Sequence, residues 1–444
     1  MKNLISTAAV ISATLLLVGC PKDDDKPPQT NLQAVHASSD APRANVLING
    51  TKELDSVDYA QASGYLSLDE GSNSIQVDVQ LPGGELFTAI PNSTFDLSSD
   101  TDYTVMVVGD VAANSVDALV VTRPADGEAD STTLDLQVVH AAFDIPDVNV
   151  IVTGPATGGS PTTLATLGYE AFTGVLNIEA GYYQIQLEAG NAIVFDSGIV
   201  SLAAGSELTV AAVKTGDSSS KSPVKLIVMD GSGSSIINDI NEVAEVRIGH
   251  LVSDAPAVDV DVTGPANQAL AAVTFQTITP FLDLPASGTY DISIVDNATR
   301  TADILSAPGV SFEAGMDYSV YASGQVALNN ISPLVVVEER RPVATSAVVN
   351  ITHAAANPAA ATVDIFINGD LAVSDFPYKE VISGVYLAEG SYDIDVAPAG
   401  AGIGSAVISA TIPLVSGEVY QIIAIDDSTS STGFGAIALP TITD

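Results

Sequence analysis

The 444-residue chain holds one cysteine, no tryptophan and four histidines, and its 14 lysines and arginines face 54 acidic residues. A single cysteine excludes any intramolecular disulfide, and with it the stapled scaffold of small secreted domains. Zinc sites need three or four protein ligands, often cysteine or histidine, which four scattered histidines do not supply. A formal net charge of −40 repels nucleic acid and anionic headgroups, so no nucleic-acid partner is expected. Cofactor motifs are absent too. The stretch "GAGIG" from Gly400 fails the G-x-G-x-x-G spacing and reads as a loop. No G-x-S-x-G nucleophile elbow occurs. Helical periodicity is lacking throughout, and beyond Val18 no apolar run is long enough to span a bilayer as a helix.

What is present begins at the N-terminus. Lys2 precedes an apolar stretch from Leu4 to Val18, the proportions of a signal-peptide core. It ends in Leu17-Val18-Gly19-Cys20, which resembles a bacterial lipobox. That resemblance implies cleavage after residue 19 and lipidation of Cys20, and several acyl chains anchor a protein stably where one does not. Residues 20–31 then form a Pro- and charge-rich tether. By resemblance to enterobacterial lipoproteins, Pro21 in place of aspartate favours the outer membrane.

The rest of the chain is one unit written four times. "AVHASSDAP" from Ala34 returns as "VVHAAFDIP" from Val138, "IGHLVSDAP" from Ile248 and "ITHAAANP" from Ile351. Two further blocks follow each phrase in the same order, among them "GSYDIDV" at Gly390 and "DYTVMVVGD" at Asp102. A period of roughly one hundred residues exceeds that of solenoid repeats and suits units with their own cores. The boundaries are set at 32–124, 134–230, 243–338 and 346–441, separated by short polar connections such as "EERRPVATS" at Glu338. Connections this short bring neighbouring units into contact. Within a unit the apolar period is two, as in "VDVDV" from Val258, and turn signals such as Asn49-Gly50 and Asn368-Gly369 follow the second strand. Six to eight short strands per unit predict an all-β chain of four tandem antiparallel β-sandwiches of immunoglobulin-like kind.

The phrase V-H-A-S-x-D-A-P-x-V-D-V, carried most fully by His36 to Val46 and His250 to Val260, resembles the bacterial domain-of-unknown-function family 4397. Unit two carries Phe143 and Ile145 within the phrase, and unit four has Asn357 in place of the aspartate. The resemblance implies a secreted, often lipid-anchored β-domain occurring in tandem, and it brings no established activity.

Every histidine therefore sits at one position of the repeat. By strand parity His36 shares a face with Leu32 and Ala34, and His140, His250 and His353 share theirs with aliphatic neighbours, while Gln33, Gln137, Arg247 and Asn350 occupy the opposite face. Asp40, Asp144, Asp254 and Asn357 follow four residues on, with proline close behind, which favours a turn. This pattern reads as a structural corner in which a buried imidazole ties strand to turn, without a metal or a catalytic residue. Asp259 and Asp261 alternate on one strand face and are the candidate for weak calcium binding, though the D-x-D-x-D-G loop is missing. Tyr182, Tyr290 and Tyr392 recur at one strand start and read as core or corner aromatics. The function expected is binding of a protein or glycan, adhesion or envelope scaffolding, with no catalysis and no cofactor. The alternative is an envelope enzyme or sensor using the His–Asp corner in an interdomain cleft. Cys20→Ser is expected to abolish radiolabelled palmitate incorporation and release the chain from membranes; labelling of the variant at the parental level contradicts the anchor.

Overall fold

The computed structural model describes residues 27–217, 219–300 and 303–441, so Cys20 and the signal segment lie outside the described residues. In the first unit the strands are Gln29–His36, Ala44–Ile48, Thr51–Val57, Leu66–Asp69, Gly71–Gln80, Leu86–Leu97, Thr101–Val108 and Asp117–Pro124. They form two facing sheets, the first ordered 4-1-7-8 and the second 3-2-5-6. The same two orders recur in the units whose first strands are Thr133–His140, Ala244–His250 and Ala347–His353. The chain is thus four tandem β-sandwiches. Pairing is antiparallel except between first and seventh strands, which run parallel in every unit. The seventh strand crosses over from the second sheet and reaches the first strand running in its direction.

Local chemistry explains the second sheet. Val258, Val260 and Val262 point into the core while Asp261 is half-buried, as a period of two requires. Asn49 and Gly50 adopt φ of 52° and 79°, and Asn368 and Gly369 adopt 52° and 90°, the left-handed pair that closes a two-residue hairpin. The third strand carries a bulge against the second in every unit, and in units one, three and four it has one further feature. A bulged residue with positive φ donates its N–H to the second strand's polar side chain: Ser56 to Asn45 (2.9 Å), Ala272 to Asp259 (2.9 Å) and Asp375 to Asp364 (3.0 Å).

The first sheets are buried on both faces. Outside its own sandwich, unit one presents Val35, Met106 and Val108, which pack against Val139, Val213, Ile227 and Met229 of unit two. Units three and four repeat the arrangement with Leu251, Tyr321 and Val336 against Ala354, Ile423 and Ile425. Two back-to-back pairs result. Gln33, Gln137, Arg247 and Asn350 lie on this same face and are buried with it. Gln137 donates across the seam to Thr122 O at 2.9 Å and Asn350 to Glu339 O of the connection at 2.9 Å, whereas Arg247 pairs with Glu338 of its own unit.

The connections contribute to the fold as well. Ser234–Ile237 adds a fifth strand beside Val224–Met229, and Gly231 O just before it accepts from Tyr65 N of unit one at 2.8 Å. Ile227 is fully buried on the face turned away from its own sandwich. Ile227→Ala is therefore expected to cost about 2–5 kcal/mol in denaturant unfolding, as a core truncation does. A loss below about 0.5 kcal/mol, typical of surface sites, would show that the paired sheets contribute nothing.

Candidate binding cleft and the histidine corners

Each histidine ends its first strand and is almost wholly buried. Its Nε2 faces a carbonyl oxygen beyond the corner: Pro42 for His36 (3.0 Å), Pro146 for His140 (3.2 Å), Pro256 for His250 (3.0 Å) and Ala360 for His353 (2.9 Å). A carbonyl only accepts, so Nε2 carries the proton and Nδ1 is the free acceptor. In units two and three Nδ1 receives Ala142 N (3.4 Å) and Val252 N (3.3 Å). In His36 and His353 the buried Nδ1 has no hydrogen-bond partner.

The backbone of the same residue is held too. His36 O accepts from Ala60 N at 2.8 Å, and Glu170, Gln276 and Lys379 do the same for the other three histidines. All four donors have positive φ, between 63° and 73°. Just before each stands an aromatic ring, Tyr59, Tyr169, Phe275 or Tyr378, with its centroid 6.2–6.3 Å from the imidazole. This aromatic block is a repeat element that sequence reasoning missed. An aromatic residue stands 23 to 29 positions after every histidine, and that spacing was the available signal.

The aspartates do not pair with the histidines. Asp40 accepts from Val111 N (2.8 Å) and Ala112 N (2.9 Å), and Asp254 from Val326 N and Ala327 N (both 2.8 Å), gripping the hairpin between strands seven and eight. In unit four the carboxylate has changed sides. Asp426 of strand seven accepts from Ala356 N (2.9 Å) and Asn357 N (3.1 Å), while Asn357 itself accepts from Ala359 N at 3.0 Å. Asp144, at φ 64°, lines a cleft of about 540 Å³ shared with Asp40, Phe143 and Lys214.

Other candidates resolve in the same way. Asp259 is 4% exposed, and both it and Asp261 (2.7 Å) are met by the Arg300 guanidinium. Among the described residues no cluster of His, Cys, Asp and Glu is arranged to hold a metal ion. Tyr290 and Tyr392 are corner residues whose hydroxyls donate to Pro285 O (2.9 Å) and Ala388 O (3.0 Å). In unit two the corner belongs to Tyr183, which donates to Glu179 O at 2.6 Å, and Tyr182 is 71% exposed. The doubled tyrosine shifts the alignment by one residue, and strand parity turns Tyr182 outward.

The remaining polar chemistry collects where the two pairs of sandwiches meet. A cleft of about 550 Å³ is lined by Tyr59 of unit one, Asp217 and Lys225 of unit two, Asp317 of unit three and Ser383 of unit four, with Glu339, Arg340 and Arg341 of the connection between three and four. Arg341 reaches back to unit one, donating to Ser39 O (3.1 Å), Ala41 O (2.9 Å) and Asp58 (2.8 Å). Asp58 also accepts from Arg43 at 2.9 Å, and these cations hold its carboxyl low against burial, which acts the other way. Arg340 bridges Glu245 and Asp317 (2.9 Å), and Arg247 grips Glu338 at 2.6 and 2.8 Å. Burial, reinforced by Asp217 and Glu245, pushes the Asp317 carboxyl up to about 8 despite Arg340. Burial and then Arg341 lower the Lys225 ammonium to about 8. Lys225 Nζ lies 4.5 Å from the Tyr59 ring centroid.

Family comparison fits this repeated architecture. The profile of a domain of unknown function, DUF4397, matches residues 30–151, 244–360 and 347–441. The chain belongs to the DUF4397 family. The first match runs past the opening DUF4397 unit into the second strand of unit two. No curated protein matches the chain. Among solved structures the Bacillus anthracis TIE protein is similar at 11% identity and a TM-score of 0.17, the match covering 86% of this chain and 65% of that one. This chain therefore spans less than two thirds of that protein, and so distant a likeness bears on neither ligand nor activity.

Burial sets the sign of the histidines' pH dependence. Desolvation lowers all four imidazoles, His36 to about 4, against the bond to the carbonyl that raises them. Their contribution to stability is therefore whole above the ordinary value near 6.5 and is lost as pH falls through the folded value. Thermal midpoints should drop between pH 6.5 and about 4, and His36→Gln should flatten part of that slope while lowering the midpoint at pH 7. A variant with the parental slope and midpoint contradicts the corner's role.

Proposed function

We propose that the protein is a lipid-anchored component of the cell envelope, held at the outer membrane through Cys20, that binds a ligand without catalysis. Repeated DUF4397 sandwiches fit such a non-catalytic envelope module. The observation that carries the binding reading is the four-unit cleft. Its walls come from all four units, so the site exists only in the assembled chain. The histidines, the obvious catalytic candidates, are committed to backbone carbonyls outside that cleft. Four units fixed against each other also suit a scaffold.

A second reading, catalysis in the same cleft, draws on two of its lining groups: burial pushes the Asp317 carboxyl up and the Lys225 ammonium down. It dispenses with the His–Asp corner. A thermal-shift screen of envelope glycan fragments and small metabolites against the intact chain tests both readings. Binding predicts stabilisation by at least one compound, absent in Ser383→Trp, which fills the cleft from its exposed wall. Conversion of a stabilising compound, followed by mass spectrometry, favours catalysis. Stabilisation that survives Ser383→Trp moves the site elsewhere.

A further inference from the structure

Every cation around the four-unit cleft is matched except one. Arg43 and Arg341 share Asp58, Arg340 holds Glu245 and Asp317, Arg247 holds Glu338, and Lys221 holds Asp283 at 2.8 Å. Beyond the cleft, Lys52 and Lys214 pair with Asp55 (2.9 Å) and Asp110 (3.5 Å), and Lys379 donates to Ser332 at 2.6 Å. Lys225 alone among the described lysines makes no hydrogen bond or ion pair, in a chain with 54 acidic residues. Its ammonium rests on the Tyr59 ring in the cleft lining, and its three N–H groups are uncommitted.

Tyr59 is fixed from both sides. Its ring meets His36 edge-on at 6.2 Å, and its hydroxyl donates to Lys214 O of unit two. The platform under Lys225 is thereby tied to the histidine corner of unit one and to the seam with unit two. Gln61 and Ser383 line the same cleft; Gln61 accepts from Asp58 N through Oε1, which leaves its amide nitrogen and the Ser383 hydroxyl free to meet a ligand.

We propose that the four-unit cleft binds a small hydroxylated carboxylate, a sugar acid in chemical class, with the carboxylate received by Lys225 Nζ and the hydroxyls by the Gln61 and Ser383 wall. Lys225 is the one cation of the lining without an ion-pair partner, so its ammonium is free to take one carboxylate. Glu339 and Asp217, which line the same space, disfavour a dianion such as phosphate. A volume of about 550 Å³ suits a ligand of one or two sugar rings. This inference rests on the reading of the cleft as a binding site.

The experiment titrates the intact chain with D-glucuronate, glucose and inorganic phosphate by calorimetry, alongside Lys225→Met, Lys225→Arg and Ser383→Trp. Glucuronate is expected to bind in preference to both others. Lys225→Met should weaken it about tenfold or more, the usual effect of losing a charge-assisted hydrogen bond. Lys225→Arg should retain binding, which separates loss of the charge from loss of the fold. No glucuronate binding by the parent chain, equal binding by Lys225→Met, or tighter binding of phosphate each overturns the proposal. Equal binding of glucose that Ser383→Trp abolishes removes the carboxylate assignment and leaves the cleft as a binding site.

Discussion

A β-sheet with two apolar faces has to be covered twice, and the histidine-bearing sheets of this chain are sheets of that kind. One face closes a sandwich and the other requires a second sandwich with a matching face. Each aliphatic side chain fully buried in that seam contributes about 1.5–3 kcal/mol relative to exposure. The pairing of units one with two, and three with four, follows from this double burial. So does the placement of the polar connections, which are squeezed to the edges and become clamps: one adds a strand to unit two, and another sends Arg341 back into unit one.

The sandwich itself was legible because its second sheet obeys simple rules. Val258, Val260 and Val262 alternate with acids, and Asn-Gly pairs stand where left-handed φ is needed. The inward parity of the histidines was equally plain. The seam was harder to see, because Gln33, Gln137, Arg247 and Asn350 look like a wetted face when the surface that covers them is distant in sequence: Thr122 of unit one for Gln137 and the connection at Glu339 for Asn350. A clue was present in runs such as "VMVVG" at Val105 and "IIAID" at Ile422, where apolar residues continue through both parities. The aspartate after each histidine invited pairing with it by proximity in sequence. In units one and three the backbone turns it away instead, toward amides of the loop between strands seven and eight. Lys225 could not be singled out, since its environment is built from residues hundreds of positions apart.

Electrostatics and architecture are linked at the centre of the molecule. A surface of net charge −40 resists compaction through its own repulsion. The scarce cations are spent where the four units converge: Arg43, Arg247, Arg340 and Arg341 each hold a carboxylate at that junction. Two of these guanidinium groups, Arg247 and Arg340, also lie over the Phe281 ring at 4.8 and 4.1 Å. The junction is thus held by directional bonds between charged groups, whereas the seam within each pair is held by apolar contact.

The parallel pairing of first and seventh strands has a consequence for the order in which this protein becomes folded. Leu32 finds its neighbour in Tyr103, and Leu136 in Leu208, so the central sheet of a unit closes only when nearly the whole unit is available. Hairpins two–three, five–six and seven–eight close over short loops, whereas the strand that bears the histidine completes its pairing only with strand seven. Its second face waits longer, until the following unit has done the same. A chain emerging vectorially during synthesis would thus mature in steps of two units, with an apolar sheet face uncovered between them.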